Sequence, residues 1–182
     1  MGEYMQKHVW GPLGMISTTF NLESKPDIKA GKVDMSARLP TGQLVPLPTP
    51  VYPSPAEDDL GGVGSYSTAP DYMKLLTSLL SKDGKLLKDS TIDEMFRPQL
   101  LNPKYMEEAI AAPENRKLLA GNIPPGLKMD YGLSGMINLE PMATGRQPGS
   151  MQWGGMPNLF WVSTVQLWKR HCARLLMMLI VD

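Results

Sequence analysis

Between Leu44 and Pro55 the chain reads LVPLPTPVYPSP, five prolines in twelve residues, and no other stretch restricts so strongly what can be built around it. Proline holds φ near about −65° and has no N–H to donate, so a run this dense admits neither a regular helix nor a central strand. It lies inside a longer polar stretch, Asn21 to Asp59, rich in Pro, Lys, Asp and Ser. Two readings of that stretch stay open: a surface excursion in extended or polyproline form, and a loop that wraps over a cleft. Either way, regular packed structure must come from the segments on both sides.

On the N-terminal side, EYMQKHVWGPLGM places Tyr4, Met5, His8 and Val9 at helical spacing. Gly11-Pro12 is expected to stop that helix. On the other side, GGVGSYSTAPDYMKLLTSLLSKDGKLL carries the clearest local signal. Thr68 is positioned to cap a helix whose third residue is Asp71, with Pro70 tolerated in the first turn. Tyr72, Leu75, Leu76, Leu79 and Leu80 then share one face, and Lys82-Asp83-Gly84 ends the element. That stripe reads as core contact. A shorter helix is expected in DSTIDEMFRPQL, with Ser90 as its cap and Ile92, Met95 and Phe96 as its apolar face, and another in PKYMEEAIAA.

The pattern then changes. After the Pro-Pro-Gly breaker at 124–126, MDYGLSGMINL reads as a strand whose glycines let neighbours come close. A loop from Glu140 to Ser150 leads to GSMQWGGMPNLFWV, in which a tryptophan and two glycines run directly into an apolar strand, NLFWV. Paired glycines weaken a strand, so they persist where another backbone or a ligand must approach. The pair marks a plain turn or a docking point. Helices followed by strands give an α+β expectation, helices packed on an antiparallel sheet.

Composition narrows the function classes. With 182 residues the chain has the length of one ordinary domain. Eighteen basic and eighteen acidic side chains cancel, and no cluster follows a phosphate backbone, so nucleic acid is not an expected partner. One cysteine, Cys172, and two distant histidines, His8 and His171, offer neither a disulfide framework nor metal-ligand spacing, and no cofactor is expected. The N-terminus lacks the apolar centre of a signal peptide, and no apolar run reaches the roughly 18 residues of a membrane span. A soluble, cytoplasmic chain without a transmembrane segment is the expectation. Its tail joins a basic cluster, Lys169, Arg170 and Arg174, to seven apolar residues, Leu175 to Val181. That tail reads as a packed terminal element or as a peripheral membrane contact.

Four segments, YMQKHVWGPLGMISTTF, GGVGSYSTAPDYMKLL, YGLSGM and WGGMPNLFW, occur in the order of the serine β-lactamase-like superfamily. The chain resembles its class C β-lactamase, carboxylesterase and fungal transesterase branches over about Glu3 to Val162. The resemblance implies a partial β-lactamase-like fold over residues 1–162, with residues 20–60 as a long Pro-rich loop and residues 163–182 as a divergent tail. It also implies chemistry: a Ser-x-x-Lys nucleophile, a Tyr-x-Asn proton carrier, and a third, Lys-Thr-Gly-like strand in which tryptophan can replace lysine. Trp153-Gly154-Gly155 resembles that third element. Trp153 would then wall the acyl pocket, Gly154 and Gly155 would open the approach, and the N–H of Met156 would be one of two oxyanion donors.

The other two elements are absent. No serine has lysine three places on; Ser67, Ser78, Ser81 and Ser134 are followed there by Pro70, Ser81, Gly84 and Ile137. No tyrosine stands two places before an asparagine, and Tyr52-Pro53-Ser54 lies in the proline run, in the wrong chain order. In the family both elements precede the PLGM region. The chain therefore reads as the C-terminal portion of a serine hydrolase or acyltransferase acting on a small-molecule ester or acyl donor, without activity alone because acyl transfer needs an activated nucleophile. The alternative is a non-catalytic remnant that binds a partner or an acyl ligand.

Overall fold

The computed structural model describes residues 1–47, 53–115, 123–143, 145–155 and 159–163, with only the backbone for 159–162. It divides into two compact units, Met1–Leu75 and the residues from Leu76 onward.

In the first unit, α1 (Gly2–Met5), a π-helical turn (Gln6–Trp10) and α2 (Gly11–Leu13) follow without a break. Gly11-Pro12 therefore does not stop the helix, contrary to expectation. Proline is excluded from an α interior because it lacks an N–H and its ring meets the carbonyl four residues back. Here the turn before it widens, Gly11 N–H donates to the Gln6 carbonyl, and Pro12 falls in the first turn of a new segment, where no donor is needed. The rod ends three residues later than expected, at Gly14, which takes the left-handed conformation with φ 65°. The wide turn leaves no room at Gly11: a Cβ there would lie 2.7 Å from the Gln6 carbonyl oxygen. Gly11→Ala is expected to lower stability by about 1–3 kcal/mol. Thermal denaturation followed by tryptophan fluorescence checks this, since Trp10 is buried and its ring lies 5.4 Å from that of Phe20.

The polar stretch is more ordered than the proline count suggests. It holds α3 (Pro26–Ala30) and an antiparallel pair, β1 (Ser36–Arg38) and β2 (Leu44–Pro46), in the register Ser36↔Pro46 and Arg38↔Leu44. Gly42, with φ 84°, turns the chain between them. The first proline of the run ends a strand of a two-stranded sheet, a place that tolerates a missing donor. Residues 48–52, the centre of the run, lie outside the described residues.

The helix α4 (Ala69–Ser81) matches its expected bounds, with Thr68 Oγ1 accepting the Asp71 N–H at 3.3 Å. In the second unit Leu76 and Leu80 of its stripe are buried. The helix α5 (Asp89–Met95) starts one residue before the expected cap: Lys88 holds the cap position without a side-chain bond, and Ser90 is already helical. Ile92 is its buried residue. The helix α6 (Lys104–Ala111) buries Ile110.

MDYGLSGMINL is two strands rather than one. β3 (Met129–Tyr131) and β4 (Met136–Asn138) form a hairpin, and β5 (Met151–Gly155) and β6 (Leu159–Ser163) extend it into an antiparallel sheet in the order β3-β4-β5-β6. Alternation continues across the tip, so the sequence pattern hides the reversal. All three residues of β4 are buried, which requires cover on both faces. On one side Met129 and Met136 join Ile110 and Ile123 in a cluster, with Tyr131 and Trp153 packed against it. β6 ends at Ser163, one residue beyond the boundary expected from the family pattern; the tail from residue 164 lies outside the described residues. No helix among the described residues is long and apolar enough to cross a membrane.

Candidate functional site

Trp153, Gly154 and Gly155 close β5 rather than lead into it. They pair with Trp161, Phe160 and Leu159 of β6. Trp153 is half-buried, Gly154 buried and Gly155 exposed. Met156 lies outside the described residues. The Tyr131 ring meets the Trp153 ring edge-on, with centroids 5.5 Å apart at 83°. Such T-shaped pairs are worth about 0.5–1.5 kcal/mol beyond burial, so Tyr131 fixes the face that Trp153 presents. This partner escaped sequence reasoning because β4 lies between the two strands. Burial pushes the Tyr131 hydroxyl above its ordinary value of 10.0, which makes it a weaker acid and keeps it protonated.

The glycines of this region differ in kind. At Gly132 a Cβ would lie 2.3 Å from the Met95 carbonyl oxygen, and at Gly135 it would lie 2.7 Å from Cγ of Met151 and 3.0 Å from the Gln152 carbonyl. Packing excludes side chains there. At Gly155 a Cβ would meet no described atom within 4 Å, and its φ lies outside the left-handed region. Neither conformation nor packing inside the described residues asks for glycine at Gly155.

The loop from Leu139 to Ser150, which delivers the chain to β5, is tightly held. Asn138, the buried last residue of β4, donates through Nδ2 to the carbonyls of Glu140 (2.8 Å) and Gln147 (2.9 Å), at opposite ends of the loop. Its backbone accepts from Gly149 and donates to Ser150, at 2.8 and 3.2 Å. Inside the loop Gly145 N–H reaches the Met142 carbonyl and Met142 N–H the Arg146 carbonyl, both at 2.9 Å. Arg146 then sends Nη1 to Oε1 of buried Gln152, the neighbour of Trp153.

In the first unit a buried carboxylate organises the segment after PLGM. Asp71 accepts the Ser17 N–H at 2.7 Å, the Thr18 hydroxyl at 2.9 Å and Lys74 Nζ at 2.8 Å, while Lys74 also reaches the Gly14 carbonyl. Burial pushes the Asp71 carboxyl up, but the bonds from Lys74, Ser17 and Thr18 and the Lys74 charge outweigh it and hold the group below its ordinary 3.8. Thr19 and Tyr66 add a two-bond antiparallel bridge beside it. The Asp71 carboxylate, three residues after the Thr68 cap, thus serves Lys74 nearby and Ser17 and Thr18 more than fifty positions away. No group of three His, Cys, Asp or Glu side chains among the described residues could hold a metal ion.

Comparison with known proteins gives the family. The family profile described as Beta-lactamase matches residues 1–166. Monacolin J acid methylbutanoyltransferase of Aspergillus terreus is 34% identical over 165 residues, covering 87% of this chain and 40% of that protein. Lovastatin esterase of Penicillium rubens is 33% identical over 168 residues, covering 87% and 41%. Unliganded simvastatin synthase from Aspergillus terreus superimposes with a TM-score of 0.84 at 33% identity, over 91% of this chain and 42% of that one. The chain thus spans about two-fifths of the length of these relatives. With a family match over nearly its whole length and a shared partial α+β fold, the chain belongs to the β-lactamase family.

Proposed function

We propose that this chain supplies one wall of the acyl pocket of a serine acyl-transfer enzyme, acting on a small-molecule ester or acyl donor. Trp153 packs on the acyl group, Gly154 and Gly155 let the reacting carbonyl approach the strand, and the N–H of Met156 serves as one oxyanion donor. The observation that supports this reading is that no described atom lies within 4 Å of where a Cβ at Gly155 would stand. A glycine that neither backbone strain nor described neighbours require suits the approach of an external group. The names of the relatives, a methylbutanoyltransferase and an esterase, are consistent with an ester and a short branched acyl group.

Neither Ser-x-x-Lys nor Tyr-x-Asn occurs among these 182 residues. The purified chain is therefore expected neither to turn over p-nitrophenyl acetate nor to be labelled by a serine-directed phosphonate; turnover with labelling at one site would overturn the assignment. A chimera in which this chain replaces the matching portion of the Aspergillus terreus acyltransferase tests the wall directly. It is expected to be acylated by p-nitrophenyl esters. Gly155→Val in that chimera should lower kcat/KM by about 10²-fold or more, because the side chain displaces the carbonyl from its donors. The same substitution should leave the thermal midpoint of the chain unchanged or higher, since an unstrained Gly replacement restricts the unfolded state by about 0.4–1 kcal/mol. Equal activity in both chimeras would refute the role of Gly155.

A further inference from the structure

We propose that the hollow between α4, α5 and the loop before β5 binds a small, neutral, hydroxyl-bearing apolar molecule of the alkylphenol kind. None of its residues belongs to the Trp153 strand end, and the proposal does not rest on the function proposed above.

Three observations support it. First, the hollow has a volume of about 240 Å³ and apolar walls: Leu79 and Leu80 of α4, Ile92 and Phe96 at α5, and Pro148-Gly149 of the loop. An apolar cavity of about 150 Å³ already takes up benzene. Leu80 and Ile92 are buried and Leu79 and Phe96 half-buried, so both helices offer apolar surface to an aromatic body.

Second, the two charged side chains that line the hollow are opposite in sign and paired. Lys82 donates through Nζ to Asp93 Oδ1. Asp93 Oδ2 accepts no bond among the described residues, and an ammonium has three N–H groups to give. A hydroxyl can donate to the free carboxylate oxygen while it accepts from the ammonium. A carboxylate ligand would meet Asp93, and an amine would meet Lys82, each as a like charge, so the pair selects against both.

Third, Lys82 takes φ 50° immediately after the last residue of α4, a left-handed position where glycine is the usual occupant. A lysine held there gives up backbone stability that glycine would keep, and strain of this kind collects at binding sites. What it adds is the ammonium. The opposite wall is fixed as well, since Gly149 N–H binds the Asn138 carbonyl at 2.8 Å, two residues before β5 begins.

The test uses the full chain and needs no turnover. p-Cresol is titrated into ¹⁵N-labelled chain while the backbone amides of Lys82 and Gly149 and the Trp153 Nε1–H are followed; toluene, p-toluate and 4-methylbenzylamine are comparison probes with the same apolar body. Saturable shifts at Lys82 and Gly149 without a matching shift at Trp153 are expected, with toluene at least fivefold weaker and both charged probes at least tenfold weaker. Leu79→Phe, which narrows the hollow, should weaken p-cresol binding at least tenfold. Lys82→Gly should keep or raise the thermal midpoint, because glycine suits the left-handed position, and yet bring p-cresol down to the affinity of toluene. A purely structural lysine would not produce that split. Absent p-cresol binding, toluene binding as tight as p-cresol, shifts centred on Trp153, or unchanged p-cresol affinity in Leu79→Phe or Lys82→Gly each overturns the proposal. Acylation of the chimera is a separate readout, so either reading can fail without the other.

Discussion

Gly132→Ala is expected to be the most damaging single-methyl change in the second unit, lowering stability by about 3 kcal/mol or more. The added Cβ would lie 2.3 Å from the Met95 carbonyl oxygen, 2.7 Å from Ile137 Cδ1 and 2.8 Å from Met151 Cε. The two side-chain tips can rotate away. The carbonyl cannot, because it is main chain of the last residue of α5 and accepts the Leu133 N–H at 3.0 Å. Moving it breaks the bond that seats the hairpin tip against that helix. Equilibrium urea denaturation of wild type and variant measures the difference, and amide exchange should localise the loss to α5 and the β3–β4 hairpin. A cost under about 0.5 kcal/mol would mean that the hairpin and helix are not in contact as described. Gly155→Val, a larger change only twenty-three positions on, is the internal control, because a Cβ there meets no described atom within 4 Å.

Asp71→Asn should cost about 2–3 kcal/mol, as charge-assisted bonds to a buried carboxylate each contribute roughly 1.5–3 kcal/mol and the amide cannot satisfy all three donors. For a chain of this size that corresponds to a fall in Tm of about 5–10 °C. The dependence on pH has a definite sign. Asp71 is held below its ordinary 3.8, so its stabilisation is complete above that value and is lost as pH falls through the lowered folded-state value. The gap between wild type and Asp71→Asn should therefore be constant near neutrality and close below about pH 4. A gap that persists at the acid extreme would assign the loss to packing rather than to charge.

Asp71 also illustrates what the sequence discloses about the fold. Its local duty, three residues after Thr68 at the head of α4, follows from spacing alone, and the helix begins where that spacing says. Its partners Ser17 and Thr18 lie on a segment that no periodicity links to α4. The rod at the N-terminus was misjudged because stop rules assume α register throughout, whereas a wide turn absorbs Pro12. The β3–β4 reversal was missed for a different reason. Its tip has no Asn-Gly or Asp-Gly signal, and Ser134, a non-glycine, takes φ 104°. In the candidate site, the strand character of Trp153-Gly154-Gly155 was legible, but its place at the end of β5 was not. The contact with Tyr131 and the anchoring of Arg146 were invisible, since both depend on how non-neighbouring segments converge.

The Asn138 amide has a consequence for how this lineage can vary. By grasping the carbonyls of Glu140 and Gln147 it binds main chain only, so that tie is indifferent to the side chains between them, apart from the glycine at the turn, buried Met142 and Arg146, which is bonded to Gln152. The exposed residues between those anchors, Pro141 and Ala143, can be exchanged without re-tying the knot. New ligand preferences can then arise there by simple substitution, whereas an acid in place of the amide would set oxygen against oxygen and release the whole segment.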